Sequence, residues 1–197
     1  MSSPTRWAGV SLTDRRAERR GLLIDAAFRL FGAGGEAAVS VRSVCRECAL
    51  HTRYFYESFT DTDELLGAVY DRVAAELIAQ VEAAVTAAGD DDRARMRAGV
   101  RAVLGFSSAD PRRGRVLFTE ARANPVLVGR RAIAQEGLRE LVLTEVDPHA
   151  DPVAAQVGAA MYTGAMAELA QQWLAGNLGD DLDAVTEHAV RLVAPPR

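Results

Sequence analysis

The residues from Ser40 to Phe59, SVRSVCRECALHTRYFYESF, constrain this chain more than any other stretch. They read as two short helices broken by a tight turn. Ser40 is a good N-cap, and Val39 before it is spaced to pack on Val44 as a hydrophobic staple. Val41, Val44, Cys45 and Cys48 give the first helix an apolar face and leave Arg42 and Arg46 outward. Ala49-Leu50 forms the turn, with Leu50 as the apolar pin between the helices. The second helix, from His51 to about Ser58, sets Phe55 and Phe59 on one side at i, i+4 spacing. Its other side shows His51, Thr52, Arg53, Tyr54 and Tyr56, all able to donate hydrogen bonds. A helix this short does not persist alone in water, so an exposed polar face on it implies a task. Helix-turn-helix DNA readers use their second helix in this way, in the major groove.

The flanking residues extend the pattern. Ala26-Ala27-Phe28-Arg29-Leu30-Phe31 precedes Gly34-Gly35; Val41-Arg42-Ser43-Val44 and Phe55-Tyr56-Glu57-Ser58-Phe59 come next, and then Glu64-Leu65-Leu66. In order and spacing these resemble the TetR family of bacterial transcriptional regulators. The resemblance covers about the first seventy residues. It implies an all-α protein of about nine helices. An arm at 1–12 would precede a three-helix DNA-binding domain at 13–60, with a larger ligand-binding and dimerisation domain at 61–197. Three positions depart from the family pattern: Ala49 replaces a usual Gly, Ser58 a usual His, and Thr62 a usual Lys. The last two positions normally touch the DNA backbone, so the footprint differs there.

Charge agrees with such a division. All 23 basic residues are Arg, the better phosphate fork, although a GC-rich genome accounts for the bias more simply. Residues 1–60 hold nine Arg against six acids, while the remainder holds 14 Arg against 21 acids. A basic head on an acidic body suits a protein that touches nucleic acid at one end. The chain has no apolar run of membrane-spanning length and opens without the apolar core of a signal peptide, so a cytoplasmic location is expected.

The rest reads as helices throughout, with no strand pattern. A first helix from Thr13 or Asp14 carries Leu22, Leu23, Ala26, Ala27, Leu30 and Phe31 at helical spacing and stops at Gly32, Gly34 and Gly35. Arg15, Arg16, Arg19 and Arg20 crowd its start against the macrodipole, which fits phosphate contact as well as a solvated face. Thr60 to Glu64 opens a long helix that runs to about Ala88, and another spans about Arg93 to Ser107. Asp110-Pro111 and Asp151-Pro152 each place an N-cap before a Pro at the first helical position. A short helix to about Ala123, a break at Asn124-Pro125 and a helix from Val126 to Val146 lie between them. The last helices are Pro152 to Leu174 and one through Leu182, Val185, Ala189 and Leu192.

Ser40 and Arg42 stand at a helix start, placed for phosphate contact. Within the resemblance Tyr56 contacts phosphate, Thr52, Arg53 and Tyr54 lie nearest base edges beside His51, and Ser58 and Thr62 occupy backbone-contact positions. A guanidinium at Arg53 suits a guanine edge, where a bidentate pair gives ~1–3 kcal/mol of discrimination. Cys45-x-x-Cys48 with His51 suggests zinc or a redox pair, but a structural zinc site needs four ligands, and His149 and His188 lie far along the chain. Buried free thiols are the favoured reading, with a redox switch behind it and no metal site expected.

The resemblance also implies a small-molecule pocket within the later helices, for which Val100, Val103, Leu104, Phe106, Phe118, Met166 and Trp173 are candidates. The 152–174 helix is apolar on two sides and the protomer covers only one. A homodimer through Val157, Met161, Gly164, Ala165, Leu182, Val185 and Leu192 is therefore expected. No phosphate loop, nucleophile elbow or cofactor motif argues for catalysis or a cofactor. The leading expectation is a repressor of a pseudo-palindromic operator, released by a small-molecule effector. A DNA-binding regulator without an effector, and an all-α enzyme or carrier with a structural helix-turn-helix, remain as alternatives.

Overall fold

The computed structural model describes residues 12–120, 123–144 and 150–193. Val146 and His149 lie outside the described residues, as does the expected arm, with its Arg6 and Trp7, except for Leu12, where the first helix begins. Helix α1 (Leu12–Gly34) runs through Gly32, and Gly35 ends it with φ of 70°. Glycine takes that region without steric clash, and a Cβ there would stand 2.7 Å from Glu120 Oε2. One residue thus serves both the turn and a close approach by the later chain.

A 3-10 turn (Glu36–Ala38) leads to α2 (Val41–Glu47). Ser43 N–H donates to Ser40 Oγ at 3.1 Å and Ser40 N–H to Ser43 Oγ at 2.9 Å, a reciprocal cap that fixes the start of α2. At its other end Leu50 N–H donates to Cys45 O at 2.9 Å and Ala49 N–H to Arg46 O at 3.3 Å. That pair is a Schellman closure, which needs a left-handed residue, and Ala49 supplies it with φ of 54°. Helix α3 (Thr52–Tyr56) is shorter than the sequence pattern suggests. His51 is its N-cap rather than its first residue: Nδ1 accepts from Arg53 N–H at 3.2 Å. Helix α4 (Thr62–Ala87) comes next, with Asp61 Oδ1 accepting from Glu64 N–H at 2.8 Å. The Glu64 carboxylate turns back to accept from Thr60 N–H at 2.7 Å and Thr60 Oγ1 at 2.9 Å, and these bonds hold its carboxyl below the usual range.

The remaining elements are α5 (Asp92–Ala109), α6 (Pro111–Gly114), a π-helical turn (Arg115–Thr119), α7 (Pro125–Thr144), α8 (Pro152–Leu174) and α9 (Leu182–Val193). The described residues therefore form nine α-helices and no strand. Both Asp-Pro pairs act as predicted: Asp110 accepts from Arg112 N–H at 3.0 Å and Asp151 from Ala154 N–H at 2.8 Å. The continuous helix expected from Pro111 to Ala123 is instead one α-turn and the π-turn. Arg131 of α7 donates to Leu117 O at 2.9 Å, Val116 O at 3.3 Å and Glu120 O, covering carbonyls that the end of the π-turn leaves open.

Apolar burial unites the first four helices with part of the later chain. Leu23 and Phe31 of α1, Val44 of α2, Phe55 of α3 and Leu65, Leu66, Val69 and Val73 of α4 share one cluster with Phe106, Val116, Leu117 and Leu127. The core does not part at residue 60. A second cluster joins Val100 and Leu104 of α5 to Met166 of α8 and Val190 of α9. Buried Asn124 ties the head to the body in polar terms. Its Nδ2 donates to Glu36 Oε1 at 2.8 Å and Asp63 Oδ1 at 3.0 Å. Its Oδ1 accepts from Val126 N–H at 3.0 Å and Leu127 N–H at 3.2 Å. Both ends of the Asn124 amide are thus used, which makes its burial tolerable.

Cys45 is buried and Cys48 half-buried, both as free thiols. Burial, then the neighbouring Cys48, pushes the Cys45 thiol up, and burial also raises Cys48, whose Sγ donates to Val44 O at 3.1 Å. Thiols held protonated are poor nucleophiles and poor metal ligands, in keeping with packing rather than sensing.

Ala49 sits where a Cβ is unfavourable by about 1–2 kcal/mol. Ala49→Gly is expected to stabilise the protein by about 1 kcal/mol, measured as a higher urea midpoint at unchanged slope. A lower midpoint would show that the turn does not carry this strain.

Candidate nucleic-acid interface

Helix α3 is built to present one face. Phe55 and Phe59 are buried at 5.9 Å between ring centroids, so the opposite side of this short helix has nowhere to go but outward. His51, Thr52, Arg53 and Tyr56 are exposed and Tyr54 is half-buried. The commitment of His51 Nδ1 to the cap leaves Nε2 as its outward donor. Ser40 at the start of α2 is exposed with Arg42 beside it, but Ser40 Oγ is occupied by the cap. Ser58 and Thr62 are half-buried, and the Ser58 hydroxyl oxygen is enclosed without a hydrogen-bond partner. All nine of the expected nucleic-acid residues lie in or beside α2, α3 and the first turn of α4.

The arginines of α1 are engaged in holding α3. Arg16 donates to the Glu57 carbonyl, and Arg19 Nη2 reaches Glu57 Oε2 at 3.5 Å. The Arg19 guanidinium also lies 4.6 Å from the Tyr54 ring centroid, and that of Arg20 lies 4.3 Å from Phe59. From sequence this cluster fits phosphate contact as well as a solvated face; the structure adds cation–π and ion-pair contacts to α3 and the residues just after it. Two shallow clefts flank the same surface, one of about 300 Å³ beside Arg16, Tyr56 and Glu57, the other of about 310 Å³ along Thr13, Arg16, Ala17, Arg20 and Ser58. The first sets one arginine against one carboxylate, and the second carries Arg16 and Arg20 on its wall.

Glu57 itself is the residue that sequence reasoning missed. Arg53 Nε donates to its Oε1 at 3.2 Å, and the i, i+4 spacing of Arg53 and Glu57 was the available signal. Asn124 was missed too. It read only as a break before Pro125, although an Asn before Pro is a ready helix cap.

The seven candidate pocket residues do not meet around one space. Val100, Val103, Leu104, Met166 and Trp173 gather in the cluster of α5, α8 and α9. Phe106 and Phe118 belong to the other cluster, with the Arg113 guanidinium 4.7 Å from the Phe106 ring. The reason is helical geometry: two residues beyond Leu104 is a turn of about 200° around α5, so Phe106 faces away. Trp173 is anchored by its Nε1 donating to Ser108 Oγ at 2.8 Å.

The candidate interface residues also divide. Val157, Met161, Gly164 and Ala165 lie on an open face of α8, with Met161 70% exposed, and Leu192 on α9 is 86% exposed. Leu182 and Val185 turn instead into the protomer's own cluster and are half-buried there.

Known proteins share both this scaffold and its surface helix. Residues 23–69 match the family described as bacterial regulatory proteins, tetR family. The HTH-type transcriptional activator FasR of Mycolicibacterium smegmatis is 26% identical over 179 residues, covering 89% of this chain and 81% of that protein. Among solved structures, a TetR-like transcriptional regulator from Rhodococcus sp. RHA1 aligns with a TM-score of 0.69 at 21% identity over 90% of this chain and 94% of its own. The regulator FadR from Bacillus subtilis, solved in complex with stearoyl-CoA, aligns with a TM-score of 0.74 at 16% identity over 89% and 97%. The matched segment begins at the core of α1 and ends on the Leu65, Leu66 and Val69 stripe of α4, so it contains the scaffold that holds α3 outward. Residues 23–69 thus carry the segment described for bacterial regulatory proteins of the tetR family, on an all-α fold shared with solved TetR-like regulators.

Proposed function

We propose that this regulator acts as a homodimer on a pseudo-palindromic operator, represses transcription there, and is released by a small-molecule effector. The observation that carries the reading is the outward face of α3, where Thr52, Arg53 and Tyr56 stand exposed on a helix held by buried Phe55 and Phe59. In this reading Arg53 addresses a base edge, with Thr52 and Tyr54 beside it. Tyr56, Arg42 and Ser40 meet phosphates, His51 offers Nε2, and Ser58 and Thr62 lie at the backbone in place of a His and a Lys. Residues 13–60 form the DNA-binding part and 61–197 the effector and dimer part, with the first half of α4 packed into both. A regulator working on bacterial DNA acts in the cytoplasm, and no described helix is long and apolar enough to cross a membrane.

Two protomers meeting through the open face of α8, with Leu192 of α9, would set paired α3 helices about 34–36 Å apart, one turn of DNA. An effector among α5, α8 and α9 needs coupling of only about 1–3 kcal/mol to loosen that spacing. Stearoyl-CoA, present in the B. subtilis neighbour, is the first molecule to try. A second reading, activation from the same operator, is favoured by the relative FasR, whose description is that of an activator.

Selection of bound DNA from a random pool with purified protein tests the core of this reading. One enriched palindrome is expected, and loss of the bound band on adding stearoyl-CoA would identify the effector class. Enrichment of no sequence would refute the operator reading. Transcription in vitro from the selected site then separates repression from activation.

At Arg53, replacement by Ala is expected to relax preference at one symmetric operator position while non-specific affinity persists. A phosphate role would instead weaken binding to all sequences and shrink the log–log salt slope by about one.

On the open face of α8, Gly164→Glu or Ala165→Arg would bury an unpaired charge between protomers at about 3–5 kcal/mol. Each variant is expected to sediment as a monomer and to lose operator binding. A wild-type protein that is itself monomeric at micromolar concentration would exclude this interface.

A further inference from the structure

Glu57 closes α3 as its C-cap, and both its carbonyl and its carboxylate are held. Its carbonyl accepts from Arg16, and its carboxylate is divided between two guanidiniums. Oε2 faces Arg19 Nη2 at 3.5 Å, and Oε1 accepts from Arg53 Nε at 3.2 Å. Arg19 is in turn seated against the Tyr54 ring at 4.6 Å, and Arg53 lies 5.2 Å from the same ring. The Arg53 side chain is 72% exposed, yet it is tethered at Nε and flanked by an aromatic face.

The atom used for the tether matters. An arginine bound through Nε keeps both Nη groups for a second partner, and among the described residues no acceptor is paired with the Nη groups of Arg53. Bidentate reading of guanine needs two parallel N–H groups aimed at O6 and N7. A long side chain left free would first have to lose its rotamer freedom, whereas one anchored at Nε is already ordered. A carboxylate this near a phosphate backbone is a repulsive element, and Arg19 and Arg16 beside it offset that repulsion.

We propose that Glu57 is a positioning residue for sequence reading: it holds Arg53 through Nε so that both Nη groups address one guanine edge in each half-site. The inference rests on α3 being the DNA-contacting helix. It goes further by assigning a role to an acidic residue that touches no base, and by fixing the base that Arg53 reads.

Full-length wild type, Glu57→Ala, Glu57→Asp, Glu57→Gln, Arg53→Ala and the Arg53→Ala/Glu57→Ala double variant are compared on a pool randomised at the operator, at one stated salt concentration. Thermal unfolding checks that each is folded. Glu57→Ala is expected to lose about tenfold in preference for guanine at one symmetric position, with non-specific affinity retained. Glu57→Asp keeps the charge but shortens the reach, and should lose the same preference. Glu57→Gln keeps an oxygen for Nε and should retain most of it. In the Arg53→Ala background, Glu57→Ala should change nothing further. If Glu57→Ala and Glu57→Asp leave the base preference intact, the proposal is overturned. Uniform tightening by Glu57→Ala on all sequences with the guanine preference unchanged would overturn it as well, because Glu57 would then merely compete with DNA for Arg53. If Arg53→Ala itself leaves base preference unchanged, the assignment of Arg53 as base reader fails first, and that outcome is separable from failure at Glu57.

Discussion

Two helices of seven and five residues, α2 and α3, carry the surface that matters, and neither is long enough to stand by itself. Their existence depends on the burial of Val44, Cys45, Phe55 and Phe59 against α1 and the first half of α4. Each fully buried aliphatic or aromatic side chain contributes about 1.5–3 kcal/mol, which exceeds what capping of so short a helix supplies. Burial of the apolar face secures α3 from inside and leaves its polar face outward. Arg19 and Arg20 add a second hold from outside, through Tyr54, Glu57 and Phe59.

The same cluster gives the head and the body a common core. Leu127 of α7 and Leu117 of the π-turn are as much part of it as Leu23 of α1. Around it, Asn124 bonds the turn after α1 and the first turn of α4, while Arg115 donates to Ala33 O at 3.2 Å. Displacement of α7 would therefore strain hydrogen bonds at the base of the DNA-reading unit, as well as apolar contacts. Asp71 on α4 and Arg130 on α7, paired at 2.8 Å, extend the link along the long helix.

The features legible in the chain alone are local ones. Ser40, Asp61, Asp110 and Asp151 each announce a helix start because a cap acts within three residues, and all four do so. The helix-turn-helix and the all-α architecture were legible because their spacing is dictated by helical period and by the turn at Ala49-Leu50. Features that depend on partners far along the chain were not. The π-turn is held by Arg131, and nothing within Arg115–Thr119 announces it. Phe106 and Leu104 look alike in composition, yet their different bearings around α5 send them to different clusters. His51 reads from sequence as a recognition residue, and the structure shows it as a cap, a role for which Asn, Asp, Ser and Thr are the usual signals.

The arginine clamp between α1 and α3 also limits how this protein can be modified. Every cation in it is a guanidinium, and the chain has no lysine anywhere. Guanidinium stays protonated across biological pH, so neither a shift in acidity nor lysine acetylation can erase a positive charge from this clamp. A phosphate group would act on its attraction to DNA by adding negative charge instead. The hydroxyls of Thr52 and Tyr56, exposed on the reading face, are where a single phosphate group would oppose the backbone most directly.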